Sequence, residues 1–478
     1  MSSRRLVTLG VLGGAFLAAI EATIVSTVMP TVVQHLGGLS HYAWVFSAYI
    51  LTSTVTMPLW GRLSDLYGRR TLYLAAVGMF LFGSALCGVS QSMGQLIAFR
   101  AVQGIGAGGL LPLGMTIIGE LYTLKERAKA QAWFSGVWGL ASVVGPLIGG
   151  FIADRASWRW VFYLNLPFGV IAAALVGMSL ADRRSAEPPR IDYLGAGVLS
   201  ASITLFLLAL TQTGVPDATL NNVQLGVLYA ASTLLGAWFL RIERRVPQPI
   251  LPLSLLSNAY VGSSTVVGFL TGIAMFGVLS FVPLFVQSAL GRTATEAGSA
   301  LTPLLLGWVI MSVVTSQVLP KVGFRRMVMA GLICISLGFA GLTRMTHDSS
   351  MVELWLSLGV MGVGMGMAML SLLLAGQSAV SREQLGIATS LGQFSRSIGG
   401  AVGVALMGTV MTASLAALQG PEMPLQRAME LSLHRAFIVG TIVSLVALAA
   451  STKVPRGFPQ RPPEASSIAT TASESSTV

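Results

Sequence analysis

LVTLGVLGGAFLAAIEATIVSTVMPTVV, Leu6 to Val33, is an apolar run long enough to cross the hydrocarbon core of a bilayer as one helix. A single charge, Glu21, interrupts it. An acidic residue at the centre of an inserted helix costs roughly 2.5–3.5 kcal/mol, so a carboxylate placed there marks a functional position. The other 17 of the 18 Asp and Glu residues fall in loops, tails or close to the end of an apolar run.

Comparable runs recur along the chain. Of 478 residues, 54% are hydrophobic and 10% charged, against roughly 25% charged in soluble domains. With a mean hydropathy of +0.75, so much apolar surface cannot be hidden in a soluble core. The composition defines an all-α polytopic membrane protein. Fourteen runs stand between charged breaks: 6–33, 43–60, 71–90, 95–119, 131–153, 159–180, 191–213, 223–241, 259–289, 297–319, 327–345, 352–374, 385–413 and 433–452.

Loop charge supports that count. With a cytoplasmic N-terminus, the cytoplasmic loops and tails carry 21 of the 29 Lys and Arg residues. The opposite face holds six, Arg155, Arg159, Arg292, Arg344, Arg427 and Arg435, and two, Arg100 and Arg396, lie inside runs. This bias follows the positive-inside rule and places both termini in the cytoplasm. It also accounts for the net charge of +11 without a nucleic-acid partner. Met1 to Arg5 is basic, as in a signal peptide, but the run to Val33 is longer than a typical signal core. We read it as a retained first helix.

The expected organisation is 6 + 2 + 6: an N-terminal six-helix half (1–180), a central two-helix insert with polar linkers (181–258), a C-terminal six-helix half (259–452) and a disordered cytoplasmic tail (453–478) rich in Pro, Ser, Thr and Ala. A weak internal echo links the halves. Gly61-Arg-Leu-Ser-Asp65-Leu-Tyr-Gly68-Arg69-Arg70 follows the second run, and Pro320-Lys-Val-Gly323-Phe-Arg325-Arg326 follows the run 297–319, without the Asp. Cys87 and Cys334 lie far apart in separate runs and suggest free thiols.

Several motifs lie in order across the first half. Gly61 to Leu72 resembles the loop 2–3 motif of the major facilitator superfamily, and Arg100, Gln103 and Gly104 resemble its span 4 motif. Gly136 to Gly150, ending in Gly145-Pro146-Leu-Ile-Gly149-Gly150, is similar to its antiporter motif. Glu21 to Pro30 and Trp158 to Pro167 resemble motifs of the fourteen-span drug:proton antiporters, where Asp is usual in place of Glu21. The resemblance implies a major facilitator fold in the cell membrane, with proton-coupled export of lipophilic, often cationic compounds by alternating access. A dedicated exporter of a metabolite, siderophore or lipid fits the same fold, and a non-transporting sensor fits less well.

The resemblance also assigns roles. Asp65 with Arg69 and Arg70, on a turn made tight by Gly61 and Gly68, forms a conformational latch; the alternative is a positive-inside turn with an incidental Asp. The Ser381-Arg-Glu-Gln384 stretch has a capping-box spacing, and its helix N-terminus is a candidate partner for Asp65. Helical rise puts Glu21 about 24 Å above Arg5 and Arg100 about 30 Å above Glu120. The two can therefore face one another, Glu21 binding the proton or substrate and Arg100 tuning it; the alternatives are a static carboxylate and a snorkelling arginine. Pro146 removes a backbone hydrogen bond and kinks its helix, while the neighbouring glycines allow close packing.

Gln393, Arg396 and Ser397 form a second polar patch, facing either a cavity or a helix neighbour. Gly104 to Gly109 fits a dinucleotide fingerprint only formally, because it lies inside an apolar run. No phosphate-binding G-x-x-x-x-G-K-[ST] run is present, and His35, His41, His347 and His434 lack metal spacing. The chain is expected to be no enzyme, to need no cofactor or metal beyond a proton gradient, and to act as a monomer on small lipophilic molecules within the bilayer.

Overall fold

In lipid, a backbone without water must satisfy its own hydrogen bonds, and for isolated apolar runs that means helices. A computed structural model describes residues 3–37, 42–155, 157–181, 192–213, 220–246, 249, 251, 253–292, 294–418 and 423–458, and every regular element among them is helical. The first group is α1 (Ser3–Leu36), α2 (Tyr42–Tyr67), α3 (Arg69–Gly88), α4 (Met93–Leu121), α5 (Leu124–Arg155), the one-turn α6 (Trp160–Tyr163) and α7 (Asn165–Ser179). Next come α8 (Tyr193–Gln212), α9 (Asn222–Glu243) and α10 (Leu253–Ser257). The last group is α11 (Ala259–Ser288), α12 (Ala294–Ala300), α13 (Thr302–Val322), α14 (Phe324–Leu342), α15 (Met351–Ser378), α16 (Leu385–Leu418) and α17 (Leu425–Ser451).

Among the described residues, 11 helices are long and apolar enough to cross a membrane. The runs at 6–33, 43–60 and 131–153 fall on α1, α2 and α5, of 34, 26 and 32 residues. The run 159–180 carries α6 and α7, which follow one another through a helical Leu164 and form one apolar span, Trp160–Ser179. Most of the expected linker at 181–190 and the tail from 459 onward lie outside the described residues.

Packing repeats between the first and last groups. α1 packs on α5 and α7, α2 on α4, and α3 on α4 and α7. Likewise α11 packs on α16 and α17, α13 on α15, and α14 on α15 and α17. Exchanging α1 with α11, α2 with α13, α3 with α14, α4 with α15, α5 with α16 and α7 with α17 converts one set into the other. The main contacts between the groups, α2 with α16 and α5 with α13, obey the same exchange. α8 and α9 pair with each other, and α8 rests on α2 and α16.

The repeat extends to backbone conformation. Gly68 between α2 and α3 has φ 97°, and Gly323 between α13 and α14 has φ 84°. A side chain at either position would be strained, so both turns keep glycine while their charged residues diverge. Beyond α17 the chain folds back. Arg325 Nε donates to the Val454 carbonyl at 2.5 Å, Tyr260 Oη donates to the Gly457 carbonyl at 3.0 Å, and the Phe458 ring lies 4.9 Å from that of Phe324.

Candidate functional site: a buried carboxylate and a capped helix end

Five elements converge on Glu21. α1 carries the carboxylate, α2 supplies Val45 and Tyr49, α3 Ser84 and Cys87, α4 Arg100 and Gln103, and α7 Asn165 at its first residue. Glu21 is 0% exposed and Arg100 2%, so neither charge could be kept there without the other. Arg100 Nη1 bonds Glu21 Oε1 and lies 2.8 Å from Gln103 Oε1. Its Nε donates to the Val45 carbonyl at 3.4 Å, and its guanidinium sits 4.2 Å from the centroid of the Tyr49 ring.

The second carboxylate oxygen has its own donor. Asn165 Nδ2 lies 2.6 Å from Glu21 Oε2 and 2.9 Å from Ser84 Oγ, and the Ser84 hydroxyl donates to the Phe162 carbonyl at 2.9 Å. Pro167 has no N–H to give the Tyr163 carbonyl, which separates α6 from α7 and leaves Asn165 at the first residue of α7. Cys87 Sγ lies 3.7 Å from Gln103 Oε1, while Gln103 Nε2 is buried without a partner. The arrangement is a carboxylate with one donor on each oxygen, closed to water and spanning α1, α3, α4 and α7. A proton added to Glu21 would remove the charge that pairs with Arg100.

The second cluster lies at the end of the molecule that bears the Gly61–Arg70 motif. Asp65 accepts from the backbone N–H groups of Gly386 (3.1 Å) and Ile387 (3.0 Å), two of the four amides that the start of α16 leaves open. Arg69 pairs with Asp65, reaches Glu120 Oε1 at 2.8 Å and Ser64 Oγ at 2.6 Å, and donates to the Arg382 carbonyl at 3.1 Å. Gly61 permits this approach: a Cβ there would meet Ser390 Oγ at 2.3 Å. Gln377 Nε2 adds a bond to the Met115 carbonyl at 3.3 Å. The first and last helix groups are therefore drawn together at this end.

Two expectations need correction here. Residues 382–384 form a single 3-10 turn, and the Ser381 side chain makes no capping bond, so the capping box does not form; the expected meeting of Asp65 with this helix N-terminus does, a charged acceptor from α2 capping α16. Arg70 makes no hydrogen bond or ion pair among the described residues, so Arg69 alone carries the basic part of the cluster. The two arginines differ because one turn of α3 points only the first of them inward.

The remaining motif residues are dispersed. Gly104 faces α2, where a Cβ would meet Thr52 Oγ1 at 2.1 Å. Gly145, Pro146, Gly149 and Gly150 all lie within α5, which runs unbroken from Leu124 to Arg155, and Gly136 on the same helix has open space beside it. Arg396 on α16 bonds Gln393 and is 3.5 Å from Met369 Sδ, while Gln393 Nε2 reaches Met115 Sδ on α4 at 2.7 Å. No group of His, Cys, Asp and Glu suited to a metal occurs among the described residues.

Sequence reasoning found Glu21 and Arg100 but gave Asn165 and Ser84 no role. Asn165 had a signal, an amide within an otherwise apolar stretch just before Pro167. Ser84 had none, since a serine between Gly83 and Ala85 reads as helix packing.

A fold of two helix groups exchanged by one pairing, with a charge network inside the first, defines a multi-span transporter. Residues 11–404 match the Major Facilitator Superfamily, and the chain belongs to that family. It is 40% identical over 412 residues to the multidrug transporter protein MdtP of Bacillus subtilis (strain 168), covering 86% of this chain and 76% of that one. Multidrug resistance protein 3 of the same organism is 36% identical over 411 residues, covering 86% and 80%. Among solved structures, the human organic anion transporter MFSD10 (TETRAN) aligns with a TM-score of 0.68 at 15% identity, covering 94% of this chain and 99% of that one. The proton:xylose symporter XylE aligns with a TM-score of 0.66 at 13% identity, covering 95% and 96%. The chain is thus a multi-pass membrane protein that moves small molecules across the bilayer rather than an enzyme, and a plasma- or inner-membrane location agrees with this.

Proposed function

We propose that this chain is a proton-coupled exporter of lipophilic, often cationic compounds that works by alternating access. The observation that carries the reading is Glu21, a fully buried carboxylate held by Arg100 on one oxygen and Asn165 on the other. Deprotonated, it stays with Arg100 while the transporter takes up its cargo. Protonation from outside loosens that pair and releases the cargo outward. Each inward proton gains about 2.3 kcal/mol per 100 mV of membrane potential.

In this reading the chain crosses the membrane fourteen times as 6 + 2 + 6, with α1, α2 and α5 joining the 11 apolar helices. Residues 1–180 and 259–452 are the moving halves, 181–258 the insert, and both termini are cytoplasmic. The loop-charge bias and the repeated packing support this layout. The Asp65 cluster then lies in the cytoplasm as the latch. With Asp65 capping α16 the cytoplasmic end is closed. Gly145 to Gly150 on α5, beside α1 and α13, seal the pathway. One chain suffices for the cycle.

The test is Glu21→Gln in proteoliposomes with an imposed pH gradient and a cationic dye as cargo. The variant keeps its place in the membrane and its dye binding but loses gradient-driven efflux. Undiminished efflux by the variant would overturn the reading.

A further inference from the structure

Two arginines lie within the apolar helices, and the fold treats them differently. Arg100 has Glu21. Arg396 has no carboxylate partner among the described residues; it bonds only Gln393 of its own helix and the thioether of Met369. A charge in the membrane interior without a counter-charge costs several kcal/mol, so its neutralisation by a ligand is strongly favoured.

Its position is that of a binding group. Arg396 is 11 residues into α16, about 17 Å from the helix start and near the middle of a core about 30 Å thick. Its surroundings are inner helices rather than lipid-facing ones. Its backbone carbonyl lies where a Cβ on Gly272 of α11 would meet it, Met369 belongs to α15, and the bonded Gln393 touches Met115 of α4 across the seam between the helix groups. The residue is only partly buried. Thr389, Gln393 and Arg396 fall on one face of α16. They form a polar stripe that climbs from the closed end, where Gln377 holds Thr389 Oγ1 at 3.1 Å, to the Arg396 guanidinium. Met115 and Met369 flank the stripe with soft, adaptable apolar surface.

We propose that Arg396 anchors an anionic group (carboxylate, phenolate or sulfonate) on the transported compound. A guanidinium presents paired N–H donors that match such an oxyanion, and the methionines receive its apolar body. The inference rests on the alternating-access export proposed above, and it narrows the cargo to amphiphiles bearing an acidic group, alone or beside a cationic one. Glu21 is already paired with Arg100, so Arg396 is a cation without a counter-charge among the described residues of this seam.

The test is equilibrium binding to the whole protein in phosphatidylcholine nanodiscs, corrected for empty discs, using pyrenebutyrate and its uncharged methyl ester. The wild type prefers the carboxylate by about tenfold or more. Arg396→Gln binds the ester unchanged and loses the preference, while Arg396→Lys retains part of it. Equal affinity of the wild type for both probes, or a preference that survives in Arg396→Gln, overturns the proposal. If Arg396→Gln binds neither probe, Arg396→Lys decides: a kept preference supports the anchor and a lost one overturns it. A preference abolished by replacing phosphatidylcholine with phosphatidylglycerol assigns the cation to lipid headgroups and also overturns it. No gradient is applied, so failed proton coupling is distinguishable from a failed anion site.

Discussion

Asn165 and Glu21 lie 144 residues apart in sequence, yet the Asn165 amide stands 2.6 Å from the carboxylate oxygen that Arg100 leaves free. The same amide touches Ser84, so one side chain fixes the carboxylate of α1 relative to both α3 and α7. Asn165 is a positioning residue for the buried acid.

Removing that amide is therefore expected to harm coupling before it harms folding. A hydrogen bond to a charged group contributes about 1.5–3 kcal/mol, so Asn165→Ala should lower gradient-driven efflux in proteoliposomes about tenfold or more. Asn165→Asp places a second carboxylate against the first and should be the more damaging change, with an altered pH profile of efflux. An unchanged profile in both variants contradicts the positioning role.

The Glu21–Arg100 pair predicts a stability pattern. Breaking a buried pair from one side costs about 3–5 kcal/mol because the remaining charge is stranded. Arg100→Gln should markedly lower the melting temperature of detergent-purified protein. The double variant Glu21→Gln with Arg100→Gln should recover most of that loss, since neither charge remains. A thermal-shift series of the three proteins checks this, and additive losses would speak against the pairing.

At the other cluster, Asp65→Asn keeps the size of the side chain but removes the charge that bonds Arg69 and caps α16. The closed end should open more often. In a background where Cys87 and Cys334 are replaced, a cysteine at Ser390 should react faster with maleimide in Asp65→Asn than in the parent. Arg70→Gln, which touches none of these bonds, should leave the rate within about twofold, since surface substitutions away from such features usually shift free energy by less than about 0.5 kcal/mol. Equal rates in all three remove Asp65 from the closure.

Gly68→Ala tests the turn itself. With φ at 97°, a Cβ should destabilise the folded protein by about 1–2 kcal/mol, seen as a lower melting temperature. Gly78→Ala, on the same helix as Arg69 and with open space beside it, should cause no loss.

How much of this was legible follows from what sets each feature. The apolar runs become helices because lipid leaves the backbone no alternative, so composition alone suffices. The meeting of Glu21 and Arg100 was legible because two buried charges at similar depth in neighbouring helices need each other. The role of Asn165 was hidden, since the apolar pattern runs through it and only the tertiary fold brings its amide to Glu21. The capping of α16 was legible in its main part: the helix end and the acid Asp65 were visible and pair as expected, and only the capping-box spacing at Ser381 failed. Arg69 and Arg70 are identical in type, and only the rotation of α3 separates them.

The bonds from Asp65 to Gly386 and Ile387 span 321 and 322 residues, which bears on biosynthesis. At translation rates of about 5–20 residues per second, the Asp65 turn is finished and inserted many seconds before the amides that satisfy it leave the ribosome. Throughout that interval the nascent chain holds an ionised turn with no helix to close on. Closure of this end is therefore among the last events of assembly, and chains truncated before α16 carry every residue of the Gly61–Arg70 motif yet have no means of shutting.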